Sequence, residues 1–66
     1  MTKFNNKVNY YRVKKNFTQN ELALLADTSR VTIHSIENYR QLPRVDLALR
    51  IAKALGTTVE KLFKED

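Results

Sequence analysis

The segment from Thr18 to Arg40, TQNELALLADTSRVTIHSIENYR, contains two short helical patterns separated by a tight turn. Thr18 and Glu21 form the Thr-x-x-Glu pattern of a capping box, in which each side chain bonds a free backbone N–H group of the first helical turn. Apolar residues then recur at helical spacing on one face, namely Leu22, Ala23, Leu25 and Ala26. The segment therefore predicts a helix that begins at Thr18 and stops near Asp27.

A second helix is predicted to follow at once, over Arg30 to Asn38, with Ser29 as its N-cap. Ile33 and Ile36 lie three residues apart, so we expect them to share the side that faces the core. The other side carries a short, mostly polar set: Arg30, Val31, His34, Ser35 and Asn38. Two short helices of which the second has an exposed polar side indicate a helix-turn-helix, whose second helix enters the major groove of DNA.

The remaining sequence predicts three further helices. Residues Asn6 to about Asn16 form the first, capped by Asn5 or Asn6 and stopped by Asn16 in place of a glycine. Val8 and Tyr11 are its core-facing pair. Residues 1–5 are expected to be a short N-terminal arm.

Pro43 opens the fourth predicted helix, from about Arg44 to Leu55, and Gly56 stands where a helix end favours glycine. Thr58 caps a short fifth helix from Val59 to about Lys64. The sides of these two helices that we expect to face the core carry Val45, Ala48, Ile51, Ala52, Leu55, Leu62 and Phe63. The predicted fold class is all-α, a compact five-helix bundle that contains the helix-turn-helix.

Length and composition limit the class of protein. The 66 residues predict one domain over residues 1–66, and a domain this small buries only about 60% of its unfolded surface. The chain has no cysteine and only one histidine, His34, so neither a disulfide, a metal nor another cofactor is expected, and stability must come from helix packing and a partner chain.

Charge and hydropathy indicate the partner and the compartment. The net charge of +5, from 12 Lys and Arg against seven Asp and Glu, favours polyanionic partners. No apolar run approaches the ~20 residues that cross a membrane, and no signal peptide is present. We therefore expect a cytoplasmic protein with no membrane partner and no small-molecule ligand.

Several motifs taken together resemble the Cro/CI-type helix-turn-helix family, also called the XRE family, over about Asn6 to Phe63. The motifs are Thr18-Gln19-x-x-Leu22-Ala23, Ser29-Arg30-x-Thr32-Ile33-x-x-Ile36-Glu37-Asn38, Pro43, Ile51-Ala52-x-x-Leu55-Gly56 and Leu62-Phe63. The resemblance implies a lambda-repressor-like five-helix fold that binds a DNA operator as a homodimer in transcriptional control.

The resemblance also implies a role for individual residues. The expected contacts to DNA bases are made by Arg30, Val31, Thr32, His34 and Ser35. The expected contacts to DNA phosphates are made by Thr18, Gln19, Ser29, Asn38, Arg40 and Arg44. Arg12 and Glu37 are expected to form an ion pair between the first and third helices. We place the dimer contact on the fifth helix, at Val59, Leu62 and Phe63.

Elementary recognition chemistry agrees with two of these roles. The Arg30 guanidinium suits the two acceptors of guanine. Val31 can offer only its methyl groups, which suit a thymine methyl.

The sequence departs from the family pattern at two places. Tyr39 stands where the family usually has glycine after the third helix, which leaves Asn38 as the candidate for a left-handed turn. Ala26 and Thr28 replace larger apolar residues, and we expect Leu25 to fill the space that they leave.

The expected function is that of a sequence-specific DNA-binding transcriptional regulator, a repressor, on a near-palindromic operator. An alternative from another class is an antitoxin, or another protein-binding module, that binds DNA only to regulate its own operon. An enzyme is not expected, because the chain has no cysteine nucleophile, one histidine and no paired carboxylates in a pocket.

Overall fold

A computed structural model describes residues 6–63, and these residues form five helices. The helices are α1 (Val8–Lys14), α2 (Gln19–Leu25), α3 (Arg30–Glu37), α4 (Val45–Leu55) and α5 (Val59–Phe63). No strand occurs among residues 6–63, so the predicted all-α, five-helix fold class is confirmed. The predicted arm over residues 1–5 and the last residue of the predicted fifth helix, Lys64, lie outside the described residues.

One apolar cluster holds the helices together, and every helix contributes to it. Its fully or almost fully buried members are Val8, Leu22, Ala23, Ala26, Ile33, Ile36, Ile51, Ala52, Leu55 and Leu62. Partly buried apolar side chains pack around them, namely Tyr11, Phe17, Leu47, Ala54, Val59 and Phe63. Because α3 packs against α2 and α1 and buries only Ile33, Ile36 and Glu37, the third helix rests on the molecule through one side.

Side-chain caps fix where the helices begin. The predicted capping box is present, since Glu21 N donates to Thr18 Oγ1 at 3.0 Å and Thr18 N donates to Glu21 Oε1 at 2.8 Å. Ser29 Oγ accepts from Thr32 N at 3.1 Å, as expected for the N-cap of α3. Thr58 Oγ1 accepts from Lys61 N at 3.2 Å and so caps α5.

The first four helices end in the same hydrogen-bonded turn, the Schellman motif, with a left-handed residue after the last helical turn. The left-handed residues are Asn16 (φ 62°), Asp27 (φ 54°), Tyr39 (φ 61°) and Gly56 (φ 68°). At the end of α3, for example, Tyr39 N donates to Ile36 O at 3.1 Å and Arg40 N donates to Ser35 O at 3.0 Å. The predicted stop at Asn16 and the predicted C-cap at Gly56 are both confirmed.

The end of α3 corrects one prediction. Asn38 keeps φ −94° and ψ 14°, and the left-handed turn falls on Tyr39. The Asn38 side chain instead donates from Nδ2 to His34 O at 2.8 Å and so binds a carbonyl of the last helical turn. The left-handed turn therefore lies one residue later than that prediction assumed.

Two predicted core residues are exposed. Leu25 is 56% exposed and does not fill the space beside Ala26, because at 100° per residue it lies at the edge of the stripe formed by Leu22, Ala23 and Ala26. Val45 is 77% exposed. Leu47 packs against the core instead, and two residues along a helix point about 200° apart, so Val45 is turned to solvent.

Two hydrogen bonds join the start of α1 to distant parts of the chain. Lys7 N donates to Leu62 O at 2.8 Å, and Asn6 Nδ2 donates to Ile36 O at 2.9 Å. Asn6 Oδ1 also accepts from Val8 N at 3.0 Å, but the N-cap of α1 is Lys7 and not the predicted Asn5 or Asn6. None of the helices within residues 6–63 has the length and apolar content needed to span a bilayer.

Candidate nucleic-acid interface

The two sides of α3 differ sharply in burial. Ile33 and Ile36 are completely buried, as their spacing predicts. On the opposite side Val31 is 71% exposed, and the side chains of Arg30 and His34 are also exposed. The outer side of α3 therefore stands clear of the other helices that the structure describes.

Three arginines lie along the chain at and after α3. Arg30 is the first residue of α3, Arg40 follows its end, and Arg44 is the N-cap of α4. All three are exposed, and within residues 6–63 the ion pairs are Arg12–Glu37 and Arg50–Asp46. A cation at the start of a helix is disfavoured by the helix dipole, so Arg30 gains from an anionic partner that these residues do not supply.

Other expected DNA contacts are partly engaged inside the protein. Thr32 is half-buried, and its Oγ1 lies 2.9 Å from Ser29 Oγ. Ser35 is also half-buried. The Asn38 amide bonds the end of its own helix, and its Nδ2 lies 3.4 Å from His34 Nε2. The structure thus exposes the side chains of Arg30, Val31 and His34, and half-buries those of Thr32 and Ser35.

Glu37 is the centre of a polar cluster under the end of α3. Its Oε2 accepts from Arg12 Nε at 2.6 Å, and its Oε1 accepts from Arg12 Nη2 at 3.2 Å. Oε1 also accepts from Gln19 Nε2 at 3.1 Å and from Asn9 Nδ2 at 3.0 Å. The expected ion pair between α1 and α3 is therefore present, and the Gln19 side chain is held against it.

Burial and hydrogen bonding act in opposite directions on Glu37. Burial of the carboxylate by itself raises its pKa, whereas the bonds from Arg12, Asn9 and Gln19 and the charge of Arg12 lower it. The bonds and the charge prevail, so the pKa of Glu37 lies below its ordinary value of 4.5. The group is ionised at neutral pH, as an ion pair with Arg12 requires.

Three contacts of this region were missed by the sequence analysis. Asn9 lies three residues before Arg12, a spacing that places both on one side of a helix and could have predicted the shared acceptor. The bond from Asn6 to the Ile36 carbonyl has no local signal, because its partners are 30 residues apart. Arg50 Nε donates to Ala26 O at 2.8 Å and binds α4 to the end of α2, again without a local pattern.

No group of three or more His, Asp or Glu side chains within residues 6–63 could hold a metal ion. The groove beside α3 and α4 is open to solvent, and its lining includes Thr32, Leu42, Arg44 and Arg50. This arrangement offers a contact surface, with arginines along it, and no enclosed chamber.

The model of the family described as helix-turn-helix matches residues 8–62 of the chain. The chain belongs to the Cro/CI-type helix-turn-helix family. This membership confirms the family expected from the motifs and the expectation that the chain is a transcription regulator and not an enzyme.

Individual relatives agree with the family assignment. An uncharacterised HTH-type transcriptional regulator from Methanocaldococcus jannaschii is 43% identical over 58 residues, which cover 88% of each chain. The P22 c2 repressor protein, solved in complex with a synthetic operator, is 27% identical with a TM-score of 0.86, and the match covers 91% of each chain. A hypothetical transcription factor from Neisseria is 26% identical with a TM-score of 0.80, and the match covers 86% of this chain but only 66% of that one.

Proposed function

We propose that this helix-turn-helix protein binds a near-palindromic DNA operator as a homodimer and represses transcription. The observation that carries the proposal is the outer side of α3, where Arg30, Val31 and His34 are exposed above the buried Ile33 and Ile36. A single helix of this kind fits the major groove of DNA, which distinguishes all four base pairs. The P22 c2 repressor, whose fold this chain shares, was solved with an operator.

Base reading is assigned to five side chains of α3. The exposed Arg30 supplies a fork of donors for the guanine O6 and N7 acceptors, and Val31 supplies methyl groups for a thymine methyl. Thr32, His34 and Ser35 lie beside them. Thr32 and Ser35 are half-buried, so they reach only those bases that approach the helix closely.

Contacts to the DNA backbone are assigned to six residues: Thr18, Gln19, Ser29, Asn38, Arg40 and Arg44. Arg40 and Arg44 are exposed cations suited to phosphate. Thr18 Oγ1 only accepts in its capping box, so its hydroxyl proton remains available to donate. Gln19 Nε2 gives one of its two protons to Glu37, and the second can meet a phosphate oxygen.

The dimer contact is assigned to α5. Val59 and Phe63 are partly exposed and can meet a second copy, whereas Leu62 is completely buried in the core. The proposed contact therefore rests on Val59 and Phe63, and Leu62, whose side chain has no free surface in the single chain, supports them from the core. In the proposed dimer the two α3 helices enter successive major grooves about 34 Å apart.

Selection of tight binders from random duplexes, followed by footprinting, tests the proposal. We expect two half-sites with centres about one helical turn apart. With about six to ten phosphate contacts, affinity falls by roughly 10³–10⁵ between 50 and 200 mM salt. A selection that returns no common sequence, together with affinity that hardly changes with salt, would contradict the proposal.

Arg30→Ala tests the assignment of base reading. We expect a loss of about 1–3 kcal/mol on the selected operator and relaxed preference at one position of each half-site, because the guanidinium no longer meets guanine. Lys53→Ala is the matched control, since it removes the same unit of charge from an exposed site on α4. Repeating the selection with both variants separates loss of charge from loss of base preference.

A further inference from the structure

Tyr39 is the unusual member of the four left-handed residues. Glycine adopts a positive φ without steric cost, and Asn and Asp adopt it more readily than other residues. Gly56, Asn16 and Asp27 are therefore suited to the Schellman turns that they occupy. Tyr39, at φ 61°, carries a bulky side chain in the conformation that brings Cβ too close to the following carbonyl.

Packing within residues 6–63 does not explain the tyrosine. Its side chain is 47% exposed, and its hydroxyl makes no hydrogen bond with another of these residues. It is also absent from the apolar cluster and from the partly buried side chains packed around that cluster. Strained backbone conformations of this kind cluster at functional sites.

The position of Tyr39 indicates which role. It follows α3 directly and lies between Asn38 and Arg40, two residues assigned above to the DNA backbone. Its phenol combines an apolar ring with one O–H donor, and tyrosine is among the side chains that bond phosphate oxygens in protein–DNA complexes. The ring suits a deoxyribose face and the hydroxyl suits a phosphate.

We propose that Tyr39 is a further DNA-contacting residue, which binds the sugar–phosphate backbone at the C-terminal end of α3. This inference rests on the proposed function. A lone hydroxyl reads no base pattern, so the contact fixes how the end of α3 lies on the duplex and does not select sequence. The strained turn is thus kept for binding at a cost to folding.

The proposal makes stability and affinity change in opposite directions in one variant. Tyr39→Gly removes the strain, so we expect Tm to rise by roughly 4–8 °C. The same variant loses the contact, so we expect affinity to fall about tenfold on the selected operator and on random duplex alike. Because no charge is lost, the dependence of affinity on salt stays as in the wild type.

Two further variants separate the parts of the effect. Tyr39→Phe keeps the backbone strain and loses only the hydroxyl, so affinity falls while Tm stays unchanged. Asn16→Gly changes the equivalent residue of the Schellman turn at the end of α1, and it leaves affinity unchanged. Thermal melts and titrations of fluorescent duplexes measure all three variants beside the wild type.

The proposal is overturned if Tyr39→Gly binds both duplexes as tightly as the wild type, or if its Tm falls. It is also overturned if the variant changes only the monomer–dimer equilibrium in sedimentation, with unchanged affinity for a single half-site, since Tyr39 would then contact a second copy. Failure of the wild type to bind any duplex at low salt contradicts the proposed function itself, and this outcome is distinct from the others.

Discussion

At the scale of single residues, Glu37 and Thr57 show how hydrogen-bond partners determine whether a buried polar group stabilises or destabilises the fold. The Glu37 carboxylate accepts four hydrogen bonds from three side chains. The Thr57 Oγ1 is buried and has no partner among residues 6–63. The first arrangement stabilises a charge, and the second leaves a desolvation cost without compensation.

Stability should depend on the protonation of Glu37. Its pKa in the folded protein lies below the ordinary 4.5, so near and below pH 4.5 the unfolded chain binds more protons than the folded one. The contribution of Glu37 is therefore fully present above pH 4.5 and is lost as pH falls through the folded pKa. Unfolding by denaturant at a series of pH values measures this loss.

Glu37→Gln provides the reference for that experiment, because the other carboxylates of the chain still titrate in it. We expect the free energy of unfolding to fall more steeply below pH 4.5 in the wild type than in this variant. Parallel curves for the two proteins would show that Glu37 has the same pKa folded and unfolded.

Thr57→Val should stabilise the protein. Valine keeps the shape of threonine and removes a buried hydroxyl that has no hydrogen-bond partner among the described residues, so we expect a gain of about 1 kcal/mol. Thr58→Val is the matched control on the next residue. It removes the Oγ1 that accepts from Lys61 N and should cost about 1 kcal/mol. Denaturant unfolding of the two variants should therefore give changes of opposite sign.

At the scale of the elements, local chemistry explains where the helices start and stop. The Thr18 and Ser29 caps were predicted because such caps depend on residues within three positions. The prediction that Asn38 takes the left-handed turn was wrong, because the hydrogen bonds that end α3 can form with either Asn38 or Tyr39 in that conformation. Asparagine adopts the left-handed conformation more readily than tyrosine, so Asn38 was the expected residue. In the folded chain α3 ends at Glu37, and the left-handed residue is Tyr39.

The ion pair between α1 and α3 is the element-scale contact that a single substitution tests best. Arg12 and Glu37 side chains are only 14% and 4% exposed, and Arg12 Nη1 also donates to Phe17 O at 2.7 Å. Arg12→Ala leaves a buried carboxylate without its cation, so we expect a loss of about 3–5 kcal/mol. Thermal melting should show a Tm at least 10 °C lower, since 1 kcal/mol corresponds to roughly 4–8 °C in a domain of this size.

Lys14→Ala serves as the comparison for Arg12→Ala, because Lys14 is an exposed cation on the same helix. Its effect should stay within about 1 kcal/mol, because the contact that it loses is the exposed cation–π contact of Lys14 Nζ, which lies 5.5 Å from the centroid of the Tyr10 ring. Equal melting temperatures for Arg12→Ala and the wild type would remove the ion pair from the account of stability.

At the scale of the whole molecule, periodicity predicted the core better than it predicted the surface. Ile33, Ile36 and Leu55 were placed correctly because each lies in the middle of an apolar stripe. Leu25 and Val45 lie at the edges of their stripes, where the packing of another helix decides between burial and exposure. The bonds from Asn6 to Ile36 O and from Arg50 to Ala26 O could not be predicted, because their partners meet only in the folded chain.

The candidate interface, too, could be predicted only in part from the sequence. Family resemblance named the residues of α3, and helical spacing already separated its buried side from its exposed side. The attachment of Gln19 to Glu37 emerged only from the structure. It means that Gln19, which we assign to the DNA backbone, donates to a carboxylate at the end of the helix that we assign to base reading. One hydrogen bond therefore links the two parts of the proposed interface.

The free outer side of α3 also bears on how such a protein changes over generations. Arg30 and Val31 support no other side chain among residues 6–63, whereas the bonds that hold α3 in place all lie on its inner side or at its ends. In the proposed complex, exchange of the outer pair would therefore retarget the protein to a new operator while the scaffold stays intact. A lineage would then acquire new targets through these two positions without a prior gain in stability, because neither side chain belongs to the buried core.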